Sequence, residues 1–174
     1  MHSASRTILL IISLMVATVL AASAIEQESP LRSGSNFLPP EVERILAEGR
    51  FELLSLDPGL LTDKQRRRLR TKLFHGYRVL GRVKIQKGPQ RDRLLRTLHQ
   101  AIANSQGNFV NCFDPRHAIR ASVGAQTVDL VICFECSMIE VYSPDKALVN
   151  TNATAQPALD AALKHAGIPL GNRP

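Results

Sequence analysis

The chain has 174 residues, with 22 Lys and Arg against 15 Asp and Glu, a formal charge of +7, no tryptophan and 5% aromatic residues. That length suits a single domain with its own core, and the scarcity of aromatics argues against a stacking platform for single-stranded nucleic acid. No internal repeat or long low-complexity tract is visible.

Residues 1–6 carry one positive side chain, Arg6, ahead of an uncharged apolar run from Ile8 to Leu20 and then Ala21-Ala-Ser-Ala24. Small residues at Ala22 and Ala24 fit the A-x-A cleavage rule, so residues 1–24 are expected to be a signal peptide and the mature chain to start near Ile25. The run 7–25 is also about as long as a minimal spanning helix, so an uncleaved anchor is the rival, and only that rival implies a membrane. No cysteine follows the apolar run, which excludes a bacterial lipid anchor at that point. Either way the remainder is expected to be exported, periplasmic or secreted, where thiols meet oxidising conditions. Nucleic acid is not the expected partner of an exported protein. Removing residues 1–24 takes Arg6 away and lowers the formal charge from +7 to +6.

Residues 25–36 read as a flexible polar leader, and residues 37–174 as one domain. Pro39-Pro40-Glu41 opens a short helix with Val42, Ile45 and Leu46 on one face and Gly49 as its stop. Phe51-Glu-Leu-Leu-Ser-Leu56 reads as a strand closed by Asp57-Pro58-Gly59. Thr62-Asp-Lys-Gln65 is a capping box, whose hydroxyl and amide can satisfy the open donors of a first turn. The helix behind it, through Lys72, is basic, with a narrow apolar side at Leu69 and Leu73. In residues 77–85, Tyr77, Val79, Val83 and Ile85 share one strand face, while Arg78, Arg82 and Lys84 share the other. Gly88-Pro89 opens a helix with Leu94, Leu95, Leu98, Ala101 and Ile102 at helical spacing.

Residues 117–121 and 128–141 are then two strands of a hairpin joined by Val123-Gly124-Ala125-Gln126. Pairing the apolar faces sets Ile119 opposite Leu130 and Ala121 opposite Val128. A last helix, residues 155–165, carries Leu159, Ala162 and Leu163 and stops at Gly167-Ile-Pro169. Consecutive strands without helices between them pair antiparallel. The expected fold is therefore α+β, a two-layer domain whose roughly four-stranded, mainly antiparallel sheet is covered on one face by two helices.

All three cysteines lie in Cys112-Phe-Asp-Pro-Arg-His117 and Ile132-Cys133-Phe-Glu-Cys136. On a regular strand Cys133 and Cys136 stand about 10 Å apart, beyond the roughly 7 Å Cα limit of a disulfide. A Cys133–Cys136 bridge thus needs a bend or bulge at Phe134-Glu135, and the apolar phase does change after Met138. Without one the partner is Cys112. The hairpin register puts Phe113 opposite Cys136, one residue away, and a slip at Pro115 completes a Cys112–Cys136 pair, the expected bridge; Cys112 with Cys133 is its variant.

Three other uses compete. Cys112, His117, Cys133 and Cys136 supply the donors of a Cys3His site for zinc or another transition metal, although zinc-ribbon cysteines usually lie on turns. The C-x-x-C is also a redox motif, but such motifs work at helix N-termini and these flanks read as strand. Cys112 with His117 could pair a nucleophile and a base, without an identifiable oxyanion loop. His117 shares the Ile119 face and has the plainer reading of a half-buried, hydrogen-bonded histidine. Glu135 faces solvent or pairs with Arg116.

The second candidate is basic. Arg78, Arg82 and Lys84 on one strand, with Arg116 and Arg120 on another, would make an open cationic sheet face if the helices cover the opposite side. Such a face attracts an acidic polymer, an anionic lipid surface or an acidic protein, with marked salt dependence. The alternative is a solvated face.

The run Phe74-His-Gly-Tyr-Arg-Val-Leu-Gly81, with the two cysteine segments, resembles a family of uncharacterised exported bacterial proteins in which Cys-Phe-x-Pro-Arg-His precedes a Cys-Phe-Glu-Cys strand. The resemblance covers about residues 51–142 and implies one recurrent module; it supplies no catalytic residue. This chain has Ala118 where that pattern commonly has glycine. Two functions are left to weigh. One is a non-enzymatic, disulfide-stapled exported domain, with no cofactor, that binds an anion. The other is a metal-binding or thiol-redox protein built on the cysteine cluster.

Overall fold

The structure, a computed structural model, describes residues 34–59, 61–69, 72–107 and 112–172. The signal-peptide segment and the leader through residue 33 lie outside the described residues. The end of the expected leader does not. Ser35 bridges Val149, and the Asn150 side-chain amide donates to the Gly34 carbonyl and to Asn36 Oδ1. These residues belong to the fold.

Helix α1, Pro40–Glu48, starts on a proline whose fixed φ suits a first turn, and it buries Val42, Ile45 and Leu46. Gly49 ends it because of close approach: a Cβ there would stand 2.6 Å from the Ser122 carbonyl oxygen and 2.7 Å from that of Ile45. Strand β1, Arg50–Asp57, follows at once. Helix α2, Asp63–Arg68, carries the expected capping box, with Gln65 N–H donating to Thr62 Oγ1 and Thr62 N–H to Gln65 Oε1. It buries no residue and is shorter than the expected basic helix through Lys72. It has no apolar stripe to dock, its cap closes its first turn, and Leu73 and Phe74 pair with the next strand instead, as β2 (Leu73–Phe74).

Strand β3, Tyr77–Lys84, leads through helix α3, Pro89–Ala103, to β4, His117–Val123. Strands β5, Gln126–Cys133, β6, Met138–Tyr142, and β7, Lys146–Asn150, complete a meander. A 3-10 turn, Ala153–Ala155, runs into helix α4, Gln156–His165. The seven strands form one antiparallel sheet in the order β2-β3-β1-β4-β5-β6-β7. The expected register is observed: Ile119 faces Leu130 and Ala121 faces Val128.

The α+β class holds, but among the described residues the sheet has seven strands rather than about four. The long strand expected over residues 128–141 breaks after Cys133, and Lys146–Asn150 adds a further strand. Three helices rather than two, α1, α3 and α4, pack their apolar residues on Phe51, Leu53, Ile119, Leu130, Ile132, Ile139 and Val141. Ala118 sits in regular β4, fully buried between Leu54 and Val131, with no left-handed backbone.

The other face holds a smaller cluster, Leu54, Leu56, Phe74, Ala118 and Val131, flanked by Tyr77, Val79, Phe113 and Tyr142. Strict alternation also sets a row of polar side chains across six strands here: Lys84, Glu52, Arg120, Asp129, Tyr142 and Lys146 are successive cross-strand partners. The sheet curls over this row. The tip of the β2–β3 hairpin, His75-Gly76, takes a left-handed backbone at both residues (φ 48° and 92°). It brings His75 Nε2 to 2.7 Å from Asp129 Oδ2 on β5 and stacks the imidazole on Tyr142 with ring centroids 3.7 Å apart.

Candidate functional site

The cysteine cluster is set by a break in the strand. After Cys133 the chain turns through Phe134-Glu-Cys-Ser137, closed by a bond from Ser137 N–H to the Phe134 carbonyl, and re-enters the sheet at Met138, which pairs with Cys133. Ser137 takes the left-handed conformation, φ 54°, and its carbonyl accepts from Thr151 N–H at the end of β7. The turn shortens the Cys133–Cys136 Cα separation to 5.2 Å, and the two are disulfide-bonded. This corrects the expected Cys112–Cys136 bridge and its Cys112–Cys133 variant. The bend at Phe134-Glu135, posed as the condition for the local bridge, is a full turn.

Cys112 is a thiol at the surface, yet its Sγ lies 3.6 Å from Cys136 Sγ. Two backbone donors reach the sulfurs: Asp114 N–H to Cys136 Sγ at 3.4 Å and Cys136 N–H to Cys133 Sγ at 3.2 Å. Tyr77 Oη donates to the Phe113 carbonyl at 3.3 Å, tying down the residue after Cys112. Cys133 and Cys136 are 1% and 0% exposed. The three sulfurs therefore meet at one point, with the disulfide sealed and the thiol outside.

His117 does not join them. It is 2% exposed, its Nε2 stands 2.7 Å from Asp160 Oδ1 on α4, and its ring meets Phe134 edge-on. It ties β4 to α4, the plainer of its two readings. Among the described residues no group of three or more His, Cys, Asp or Glu side chains is arranged to hold a metal ion.

The cationic face is mostly spent on carboxylates. Arg78 stands 4.0 Å from Asp57, and Arg82 is 3.6 Å from Glu52. Arg116 is buried, with Nη1 2.8 Å from Glu135 and Nε donating to the Asn172 carbonyl. Arg120 places Nε and Nη2 each 2.7 Å from the two oxygens of Asp129. Of the five arginines and lysines proposed for an open face, only Lys84 has no carboxylate partner among the described residues.

Lys84 belongs to a different feature. A groove of about 780 Å³ opens at the ends of β1 and β3, where Arg50, Lys84, Lys87, Arg91 and Arg120 line it against Glu48 and Glu52. Arg91 is 2% exposed and has no carboxylate partner among the described residues; it donates to the carbonyls of Leu46 and Gly49 at the C-terminal end of α1, over the Phe51 ring. Its Nε has no hydrogen-bond partner among the described residues. Burial pushes the Arg91 guanidinium below the usual arginine range, against the opposing charge of Asp92.

Sequence reasoning missed Arg50, Lys87 and Arg91, and it missed the network of His75, Asp129, Tyr142, Glu140 and Lys146. In that network Glu140 accepts from Tyr142 Oη at 2.6 Å and from Lys146 Nζ at 2.8 Å. One signal was available: the register that pairs Ile119 with Leu130 also sets Arg120 opposite Asp129.

The fold and cluster together define a helix-covered antiparallel sheet domain with a disulfide in a hairpin turn and a thiol against it. No family model matches the chain, and no curated protein or solved structure matches it significantly. No helix among the described residues is long and apolar enough to cross a membrane.

Proposed function

We propose that the chain is an exported, non-enzymatic binding domain, stapled by its disulfide, that takes an anionic ligand or partner in the groove beside Lys84. One observation carries the reading. The groove brings together Arg50, Lys84 and Lys87, none of which has a carboxylate partner among the described residues, with the buried guanidinium of Arg91 behind them. Its volume falls in the range of ligand clefts, and a concave wall in which basic side chains outnumber Glu48 and Glu52 concentrates field and counter-ions. The expected occupants are an acidic polymer, an anionic lipid headgroup or an acidic segment of another protein. Export rests on residues 1–24.

Retention on a sulfonated matrix tests the groove. Lys84→Glu with Lys87→Glu should lower the salt needed for elution, while Arg66→Glu with Arg67→Glu on α2 should change it less. Equal effects from the two pairs would show diffuse charge and refute the groove. Binding of tripolyphosphate, an acidic peptide and phosphatidylglycerol vesicles, each with and without the groove substitutions, sorts the occupants. The reading of a thiol-active protein has its own observation, the contact of Cys112 with Cys136.

A further inference from the structure

We propose that Cys112, Cys133 and Cys136 form a thiol–disulfide exchange site in which Cys112 is the nucleophile and the disulfide moves between two isomers, Cys133–Cys136 and Cys112–Cys136. The proposal is independent of the anion groove.

Reach comes first. Cys112 Sγ is in van der Waals contact with Cys136 Sγ at 3.6 Å, close to the separation of a near-attack arrangement. The segment behind it is fixed from two sides, by Tyr77 Oη on the Phe113 carbonyl and by Asp114 N–H on Cys136 Sγ. The contact therefore has anchors of its own beyond the Cys112 side chain.

Selectivity follows from which sulfur is met. Attack on Cys136 expels Cys133, whose Sγ already accepts the Cys136 N–H at 3.2 Å, so a donor waits where the negative charge arrives. In the step, the Cys112 thiol gives its proton to water and its electron pair forms the new bond to Cys136. The Cys133–Cys136 bond breaks with its pair on Cys133, which then takes a proton from water. No net oxidation occurs and no co-reactant is needed.

Burial decides what the exchange does. The disulfide is sealed, with Cys133 and Cys136 1% and 0% exposed, whereas Cys112 is at the surface. In the first isomer the domain shows solvent a reactive thiol. In the second that thiol is Cys133, hidden under the sheet. The chemistry that meets the site is a partner's thiol or disulfide, which reaches the buried pair only through Cys112. The pairing expected from the strand register reappears as the second isomer.

Peptide mapping tests this on the full chain purified without reductant. Samples are held at about pH 4 or about pH 8, because exchange runs through a thiolate and is suppressed in acid. They are then acid-quenched, unfolded and labelled with N-ethylmaleimide. Label should stay on Cys112 at the lower pH and appear on Cys133 with time at the higher one. Label confined to Cys112 under both conditions overturns the proposal. The Cys133→Ala variant, incubated with oxidised glutathione as the two-electron acceptor, reads the second isomer directly: it should become two hydrogens lighter than its reduced form, and two labelled thiols after that treatment would count equally against the proposal. Neither result depends on anion binding.

Discussion

Arg120 and Asp129 are direct cross-strand partners, and the guanidinium grips both carboxylate oxygens at 2.7 Å. Asp129 also takes His75 Nε2 at 2.7 Å, so a single carboxylate joins β4, β5 and the curled β2–β3 hairpin. Asp129→Ala should therefore loosen three elements. The Asp129 side chain is 8% exposed but Arg120 is 41% exposed, so solvent screening keeps the loss below that of a fully buried pair, at about 1–3 kcal/mol. Urea denaturation checks it. A midpoint unchanged from the parent would mean that the hairpin is held by Phe74 packing alone.

Alternation made much of the sheet legible. The apolar phases of His117–Val123 and Gln126–Cys133 set the β4–β5 register residue by residue, because a slip of one would turn the whole set outward. The cysteine turn was hidden for the opposite reason. Phe134-Glu-Cys-Ser137 holds no glycine, proline, asparagine or aspartate, and its left-handed position is a serine. A two-residue strand such as Leu73–Phe74 leaves no periodic trace, so the tail of a basic helix seemed to continue through it. Arg78, Arg82 and Arg120 were visible, but their carboxylates came from neighbouring strands, and such pairing is fixed by register and curl rather than by local sequence; only the Arg116–Glu135 pair was within reach of it.

Gly49 marks where α1, β1 and β4 crowd together. Its Cβ position is 2.6 Å from the Ser122 carbonyl oxygen, and backbone cannot yield as a flexible side chain would. Gly49→Ala should cost about 1–3 kcal/mol, the range of overpacking. It should also disturb Arg91, which donates to the Gly49 carbonyl at 2.8 Å. The denaturation midpoint reads the first effect and anion retention the second. A stability gain, as expected of a glycine with room for a methyl group, would contradict the close approach.

Ser55 makes the reverse prediction. Its side chain is fully buried on β1, beside the register shift between Ser55 and Leu56, and its hydroxyl has no hydrogen-bond partner among the described residues. Desolvating an unpaired hydroxyl costs about 1–3 kcal/mol, so Ser55→Ala should leave stability unchanged or raise it by up to that amount. Thermal unfolding is the measurement. A clear loss would show that the hydroxyl bonds to something, an enclosed water being the first candidate.

The chain's two tyrosines, Tyr77 and Tyr142, flank the smaller apolar cluster and allow an alkaline test of it. Burial raises the pKa of both above the usual phenol value near 10; for Tyr142 the bond to Glu140 and the charge of that carboxylate add to it, and for Tyr77 the charge of Glu140 does. The folded protein then keeps phenol protons that the unfolded chain has already lost. Stability from this source is whole below about pH 10 and falls as pH rises from there through the folded values. Phenolate absorbance of the native protein should appear at higher pH than in urea, with loss of fold accompanying it. Tyr142→Phe should halve the amplitude and leave Lys146 on Glu140, where its ammonium stands 2.8 Å from the carboxylate. Coincident native and unfolded titrations would place both hydroxyls in open solvent and refute the packed second face.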